Sequence, residues 1–252
     1  IKDTVMKKHY ATFILFTVLI IISGCKTRKS TGDGNGTDNN IKGDAVCIWE
    51  NIPLRDAPGK EGKWLASVNL GEKCTYLNSD KVITNGEKST KYLKISLQDG
   101  KEGWVQSDFI VLNGKPGVIT QDAVIYSRPD LLTKTDKTYS RMDIVGVMDT
   151  QNNFIQVTGK RKNGKWIETG WIKPAGISYS DVDIAVAKYA DKAMAITDAG
   201  KREAAIKEIV ENSDLQESAF IADLKNALVP AEDFIEAEVK SNASDSTSNT
   251  AN

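Results

Sequence analysis

Apolar and polar positions alternate in short runs between residues 45 and 174. The runs at 47–49, 75–77, 92–95 and 104–105 are rich in β-branched and aromatic residues, as strands are. Between them lie Pro58-Gly59, Asn85-Gly86 and Asp99-Gly100, which carry the residues that tight turns require. The pattern predicts a region of short strands connected by turns.

The same order of runs then occurs a second time. Runs at 124–126, 144–147, 154–157 and 166–172 follow one another, with Asn152-Asn153 and Asn163-Gly164 at turn positions. A repeat of this size indicates two copies of one small β module. We predict the first copy over residues 45–114 and the second over 115–176.

From residue 180 onward the apolar period changes to that of a helix. A common helical face carries Val182, Val186, Tyr189, Ala190 and Ala193. Ser180-x-x-Asp183 and Ser213-x-x-Gln216 resemble capping boxes, and Gly200 is placed to separate the first helix from the second. The pattern predicts three or four short helices over residues 180–239. Their apolar stripe is either core or a surface for a partner.

The two ends of the chain lack apolar periodicity, apart from one run near the start. Residues 25–44 and 240–252 consist mainly of small and polar residues, so we predict a flexible linker and a disordered tail. Lys7 and Lys8 precede an apolar run at 11–22, which is shorter than the roughly 20 residues of a transmembrane helix. Residues 1–24 therefore have the pattern of a signal peptide.

The residues after the apolar run, Ser23-Gly24-Cys25, resemble the lipobox of bacterial lipoproteins. This resemblance implies cleavage before Cys25 and acylation of that cysteine. Several acyl chains would hold the rest of the chain at a membrane surface. The alternative is an ordinary secretory signal that leaves Cys25 as a plain thiol. Lys26 follows the cysteine, where some family members carry an inner-membrane retention Asp, so an outer membrane is favoured if there are two.

Charge and histidine content exclude several classes of function. The formal net charge of −1 gives no basic face for nucleic acid. The only histidine, His9, lies in the predicted signal peptide. Without it, Ser-His-Asp and Cys-His hydrolases and histidine-based zinc sites are excluded, whereas carboxylate-only chemistry is not. We predict no catalytic residue, no metal site and no cofactor.

Two cysteines, Cys47 and Cys74, remain once Cys25 is acylated. A pair of cysteines outside the cytoplasm favours a disulfide. The alternative is two buried thiols that pack as small apolar residues.

The two repeats resemble bacterial SH3-like domains. In the first, residues 54–58 (Leu-Arg-Asp-Ala-Pro) are similar to the opening strand and turn of that family. Residues 70–73 (Leu-Gly-Glu-Lys) are similar to its middle strand in altered form, 92–95 to its Trp-x-x-Val strand, and 99–105 to its closing Gly-x-x-Gly-Trp-Val hairpin. The second copy matches less closely, through 125–129, 154–157 and 170–172, with Tyr126 where the first copy has Arg55. The resemblance implies two small β-barrels followed by a short helical bundle, a mainly β fold with some α.

The resemblance also implies where a ligand binds. Trp104 and Trp171 hold the positions of aromatics that line a binding groove, although each equally suits closing its own barrel. Trp64, which we predict to lie in a Lys- and Gly-rich loop between strands, is our candidate for an exposed aromatic. Arg55, beside Asp56, either binds a carboxylate or forms a surface ion pair, and Tyr92 holds an aromatic position of the family.

These features together predict a non-enzymatic lipoprotein of the bacterial envelope, anchored on the extracytoplasmic side. Its partners would be the membrane and either cell-wall peptide, peptidoglycan glycan or an envelope protein. One alternative is a scaffold or inhibitor that acts through the helical segment. An enzyme that uses the SH3-like modules for targeting is the other, and it is disfavoured because the chain lacks a downstream reactive cysteine and a mature histidine.

Overall fold

The computed structural model describes residues 43–228. The predicted signal peptide, Cys25, nearly all of the predicted linker, the end of the helical segment and the predicted tail at 240–252 lie outside these residues. No helix among residues 43–228 is long and apolar enough to cross a bilayer.

The first sheet has seven antiparallel strands and curls on itself. Its strands are β1 (Gly43–Cys47), β2 (Ile52–Arg55), β3 (Trp64–Val68), β4 (Lys73–Asn85), β5 (Lys88–Leu97), β6 (Glu102–Gln106) and β7 (Ile110–Leu112). Their spatial order is β3-β2-β6-β5-β4-β1-β7. Side chains alternate between a buried inner face, which includes Leu54, Ile95 and Val105, and an outer face that meets solvent.

The second sheet repeats the first strand for strand. Its strands are β8 (Lys115–Ile119), β9 (Ala123–Tyr126), β10 (Lys134–Tyr139), β11 (Ile144–Gln151), β12 (Phe154–Lys160), β13 (Ile167–Ile172) and β14 (Ile177–Ser178). Their order, β10-β9-β13-β12-β11-β8-β14, is that of the first sheet advanced by seven strands. The predicted internal repeat is therefore confirmed, and the two curled sheets are consistent with two SH3-like barrels.

Three helices follow: α1 (Asp181–Met194), α2 (Ala199–Glu211) and α3 (Ile221–Ala227). The predicted cap is confirmed, because the Ser180 hydroxyl accepts a hydrogen bond from the Asp183 amide. Two other predictions were wrong. Gly200 does not separate two helices but lies inside α2, which Asp198 caps. Ser213 does not begin the third helix; it begins a 3₁₀ turn (Ser213–Leu215) that Asn212 caps.

The helices and both sheets pack together as one body. The apolar stripe of α1, including Val186 and Ala190, shares a core with Val118 and Ile144 of the second sheet. The sheets also contact each other directly, because Val46, Ile48 and Val111 of the first pack against Met148 and Ile167 of the second. The α1 stripe is thus core at Val186, Ala190 and Ala193, whereas Tyr189 is exposed.

Asp183 connects α1 to the segments on either side of it. Its carboxylate accepts hydrogen bonds from the hydroxyls of Ser178 (2.6 Å) and Ser218 (2.8 Å) and from the amide of Ala219 (2.8 Å). Burial alone would raise the pKa of this carboxyl, but the hydrogen bonds hold the pKa below its usual value.

The predicted disulfide is not formed, because Cys47 and Cys74 are both free, buried thiols. The strand register gives the reason: Ala45, not Cys47, is paired with Cys74. The two cysteines contribute small apolar side chains to the core of the first sheet. Burial raises the pKa of each thiol to about 12, so both are protonated at neutral pH.

Candidate functional site

A row of aromatic and basic side chains crosses the outer face of the first sheet. Arg55 on β2 is paired with Trp64 on β3 and with Trp104 on β6, and Trp104 is paired in turn with Lys94 on β5. Residues paired across antiparallel strands lie on the same face, close enough for their side chains to interact. We call Trp64, Arg55, Trp104 and Lys94 the outer-face row.

Trp64 is the most exposed member of the row, with 61% of its surface accessible. The prediction that Trp64 faces solvent is confirmed, but its placement in a loop was wrong, because Trp64 begins β3. Trp104 is half-buried, and Tyr92 lies two residues before Lys94 on the same face of β5, paired with Gln106. Four of the five residues predicted to bind ligand are therefore gathered on this face.

The fifth predicted residue, Trp171, lies in the second sheet and is almost fully buried, with 9% of its surface accessible. It is paired with Tyr126 and Gln156, the positions equivalent to Arg55 and Lys94. The interpretation that this tryptophan closes its own barrel agrees better with its burial than a role in a groove.

Glycine precedes the tryptophan in both copies for a steric reason. A Cβ on Gly103 would lie 2.6 Å from the carbonyl oxygen of Arg55, and a Cβ on Gly170 would lie 2.3 Å from the Cγ2 atom of Ile125. Only glycine allows the strands to approach this closely. The close approach places Trp104 directly beside Arg55 on the outer face.

Arg55 has a structural contact as well as an exposed part. Its Nη1 donates a 2.6 Å hydrogen bond to the carbonyl oxygen of Gly62, across the loop between β2 and β3. The side chain of Asp56 accepts a 2.7 Å hydrogen bond from the amide of Lys63 in the same loop. The predicted Arg55–Asp56 surface ion pair is absent from the described residues, since both side chains bond to the loop instead. These contacts hold the guanidinium against the loop between β2 and β3.

Sequence reasoning missed Lys94 and Gln106. Lys94 is half-buried and lies 3.1 Å from the carboxylate of Glu102, an exposed pair that is worth little stability. The period-two alternation of 92–95 places Tyr92 and Lys94 on one face, so the sequence alone could have identified Lys94. The pairing of Gln106 with Tyr92 depends on strand register, which the sequence does not give.

The described residues hold no group of three or more His, Cys, Asp or Glu side chains arranged to bind a metal. The outer-face row instead contains two aromatic side chains and two cations, which alternate across four neighbouring strands. Such a surface can stack on flat or apolar groups and pair with carboxylates at the same time.

Comparisons with known proteins give weak similarities. No family model matches the chain, and no curated protein matches it. Among solved structures, NlpC2 from Trichomonas vaginalis is 13% identical, with 68% of this chain and 57% of that chain covered and a TM-score of 0.23. NlpC1 from the same organism is 12% identical, covers 62% and 55%, and has a TM-score of 0.23.

A third structure, of CBDP35, is 13% identical, covers 55% of this chain and 96% of that chain, and has a TM-score of 0.17. The chain spans a little more than half the length of the two NlpC proteins. At these TM-scores the matches carry no argument about function, which depends on the chain's own residues.

Proposed function

We propose that this protein is a lipid-anchored envelope protein that binds cell-wall peptides through the outer face of its first SH3-like sheet. The observation that carries the proposal is the outer-face row, in which Trp64 and Trp104 flank Arg55 in strand register. The anchor is inferred from the resemblance of Ser23-Gly24-Cys25 to a lipobox.

The chemistry of the row favours a peptide with carboxylate groups over a neutral glycan. Arg55 and Lys94 supply two cations on a face where the only nearby carboxylate paired to the row is Glu102. An extended chain lying across the strands would meet aromatic, cation, aromatic and cation in that order. Aromatic contacts and charge-assisted hydrogen bonds then act on neighbouring groups of one ligand.

The alternative, a scaffold or inhibitor that acts through the helical segment, has less support. Most of the apolar stripe of α1 that would bind a partner is buried against the second sheet, and Tyr189 is its exposed member. We therefore place ligand binding on the first sheet.

The test is binding of the unlipidated chain, residues 26–252, to peptidoglycan sacculi and to soluble stem peptides released from them. Trp64→Ala with Trp104→Ala should remove binding to both while circular dichroism shows a folded protein. Trp166→Ala is the control, because Trp166 is 76% exposed and lies outside the row. Equal retention of wild type and the double variant, or no retention of either, would overturn the proposal.

A further inference from the structure

A groove of about 760 Å³ runs between the two sheets, away from the outer-face row. Two other cavities in this part of the chain are smaller, at about 400 and 320 Å³. Its walls come from β1, the start of β4, the β7–β8 connection, β8 and β11, and Tyr179 lies at one side. The groove shares no residue with the outer-face row.

Two polar side chains of this groove have partners, because Lys73 pairs with Asp181 and Asp149 accepts a hydrogen bond from the amide of Thr150. Four others have none in the described part of the chain. Asp44, Asn113 and Lys115 are exposed, and within residues 43–228 their side chains make no hydrogen bond or ion pair. The hydroxyl of Tyr179 likewise has no partner in that range, and 49% of Tyr179 is accessible. A carboxylate, an amide, an ammonium group and a phenol therefore line one groove with no partner among the described residues, so a ligand can replace the water bound to them.

The floor of the groove is apolar and firmly held. Ala45 and Pro116 are buried, and Val147 is half-buried beside them. The amide of Asn113 donates a 2.7 Å hydrogen bond to the carbonyl oxygen of Asp44, which joins the walls on the side of the first sheet. Because the two sheets also share a core, the groove exists before any ligand enters it.

The combination identifies the chemical class of the ligand. A sugar ring has an apolar face of C–H groups, which stacks on an aromatic ring, and a rim of hydroxyls that both donate and accept hydrogen bonds. Asp44 can only accept and Lys115 can only donate, whereas Asn113 and Tyr179 do both. A pocket with an apolar base and a few convergent polar groups is the usual form of a small-ligand site.

We propose that the groove between the sheets, with Tyr179 as its stacking surface and Asp44, Asn113 and Lys115 as its polar rim, is a saccharide-binding site. Its volume accommodates more than one sugar ring. The site is independent of the peptide-binding face, so either proposal can fail without the other.

The test is a titration of the ¹⁵N-labelled chain, residues 26–252, with tri-N-acetylchitotriose, cellotriose and maltotriose, followed by NMR. We expect at least one trisaccharide to give saturable shifts centred on residues 113–115 and 179. Tyr179→Ala should weaken that binding at least tenfold. Asn113→Gly should also weaken it, and glycine is the suitable replacement because Asn113 has a φ of 55°.

Tyr189→Ala is the matched control, since Tyr189 is 48% exposed and does not line this groove. It should leave the affinity unchanged. The proposal is overturned if none of the three sugars gives saturable shifts, if the shifts lie on the outer-face row, or if Tyr179→Ala binds as the wild type does. Amide dispersion of each variant shows whether it is folded, and Asn113→Gly tests the site separately if Tyr179→Ala unfolds.

Discussion

The two sheets have one topology and two different outer faces. Each has seven strands in the same order, and in each the loop after the second strand is closed by the same backbone hydrogen bond, Asp56 to Lys63 in the first and Ser127 to Thr133 in the second. The outer-face rows differ at three of four equivalent positions. The first is Trp64, Arg55, Trp104 and Lys94, and the second is Lys134, Tyr126, Trp171 and Gln156.

The aromatics of the second face are used for packing. Tyr126 meets the ring of Phe154 edge-on at 5.1 Å, and the Lys173 ammonium lies 3.7 Å from the centre of that ring. Trp171 is buried beside them, whereas Trp64 on the first face is open to solvent. The comparison teaches that a repeat can keep its fold while the row on its outer face carries an exposed tryptophan in one copy and a buried one in the other.

A second pair of equivalent positions shows how the helices use both repeats. The turns at 69–72 and 140–143 each place their third residue at positive φ, Gly71 at 77° and Met142 at 72°. In each turn the carboxylate of the fourth residue, Glu72 or Asp143, accepts a 2.8 Å hydrogen bond from the amide of the first. Gly71 and Met142 both lie against the helical core.

The largest expected effect separates the two tryptophans. Trp171→Ala should lower the free energy of unfolding by about 3–5 kcal/mol, because it empties a buried site. Trp104→Ala should cost only about 1–2 kcal/mol, since Trp104 is half-buried. Urea denaturation measures both. Equal losses would contradict the division of the two faces into packing and binding.

The next effect tests the contact between the first repeat and α1. Gly71→Ala should lower the free energy of unfolding by about 2 kcal/mol. Alanine is strained at the positive φ of this position, and its Cβ would lie 3.2 Å from the Cγ2 atom of Ile184. Gly100→Ala is the matched control: its φ is +82° but it faces open space, so only the backbone cost of about 1 kcal/mol is expected. If the two variants were equally stable in thermal unfolding, the contact with α1 would contribute nothing.

A smaller effect concerns Asp143, whose pKa burial raises to about 6 despite hydrogen bonds from the amides of Ser140 and Lys162. The folded state therefore binds more protons than the unfolded state between about pH 4 and pH 6, so this group makes stability fall as pH rises through that window. Its slope approaches about 1.4 kcal/mol per pH unit. Asp143→Asn should remove that slope from the curve of unfolding free energy against pH, and parallel curves for variant and wild type would refute the assignment.

The smallest effect exchanges a residue between the repeats. Cys74 and Val145 hold equivalent positions, because Cys74 is paired with Ala45 in the first sheet and Val145 is paired with Gly117 in the second. The variant Cys74→Val therefore gives the first core the residue that the second repeat has at this position. We expect the free energy of unfolding of Cys74→Val to stay within about 1 kcal/mol of the wild type. Cys74→Ser buries a hydroxyl and should lower the free energy of unfolding by about 1–3 kcal/mol.

Because Cys47 and Cys74 are buried in this core, we expect their thiols to react slowly. Both thiols of residues 26–252 should resist a thiol reagent at pH 8 in the folded protein, because their pKa is about 12, and should react once it is unfolded. Absence of reaction in the unfolded, unreduced protein would indicate a disulfide after all.

Local patterns were enough to predict part of the strands, the repeat and the first helix cap, whereas no predicted run corresponds to β3, β7, β8, β10 or β14. The alternation at 92–95 and the turns Asn85-Gly86 and Asn152-Asn153 involve neighbours in sequence, whose preferences act without the rest of the chain. The second and third helices were placed less well, because Gly200 is tolerated inside α2 once Asp198 caps it. Local signals of similar strength compete there, and packing decides between them.

The sequence by itself determined that the chain carries two copies of a β module, because period and turn chemistry are local. Only the tertiary structure decided that Trp64, Arg55, Trp104 and Lys94 form one row, that Trp171 is buried, and that Cys47 is not paired with Cys74. The groove at Tyr179 likewise exists only once both sheets meet. These features depend on register and on contacts between segments far apart in the chain, where a shift of one residue moves every side chain to the other face.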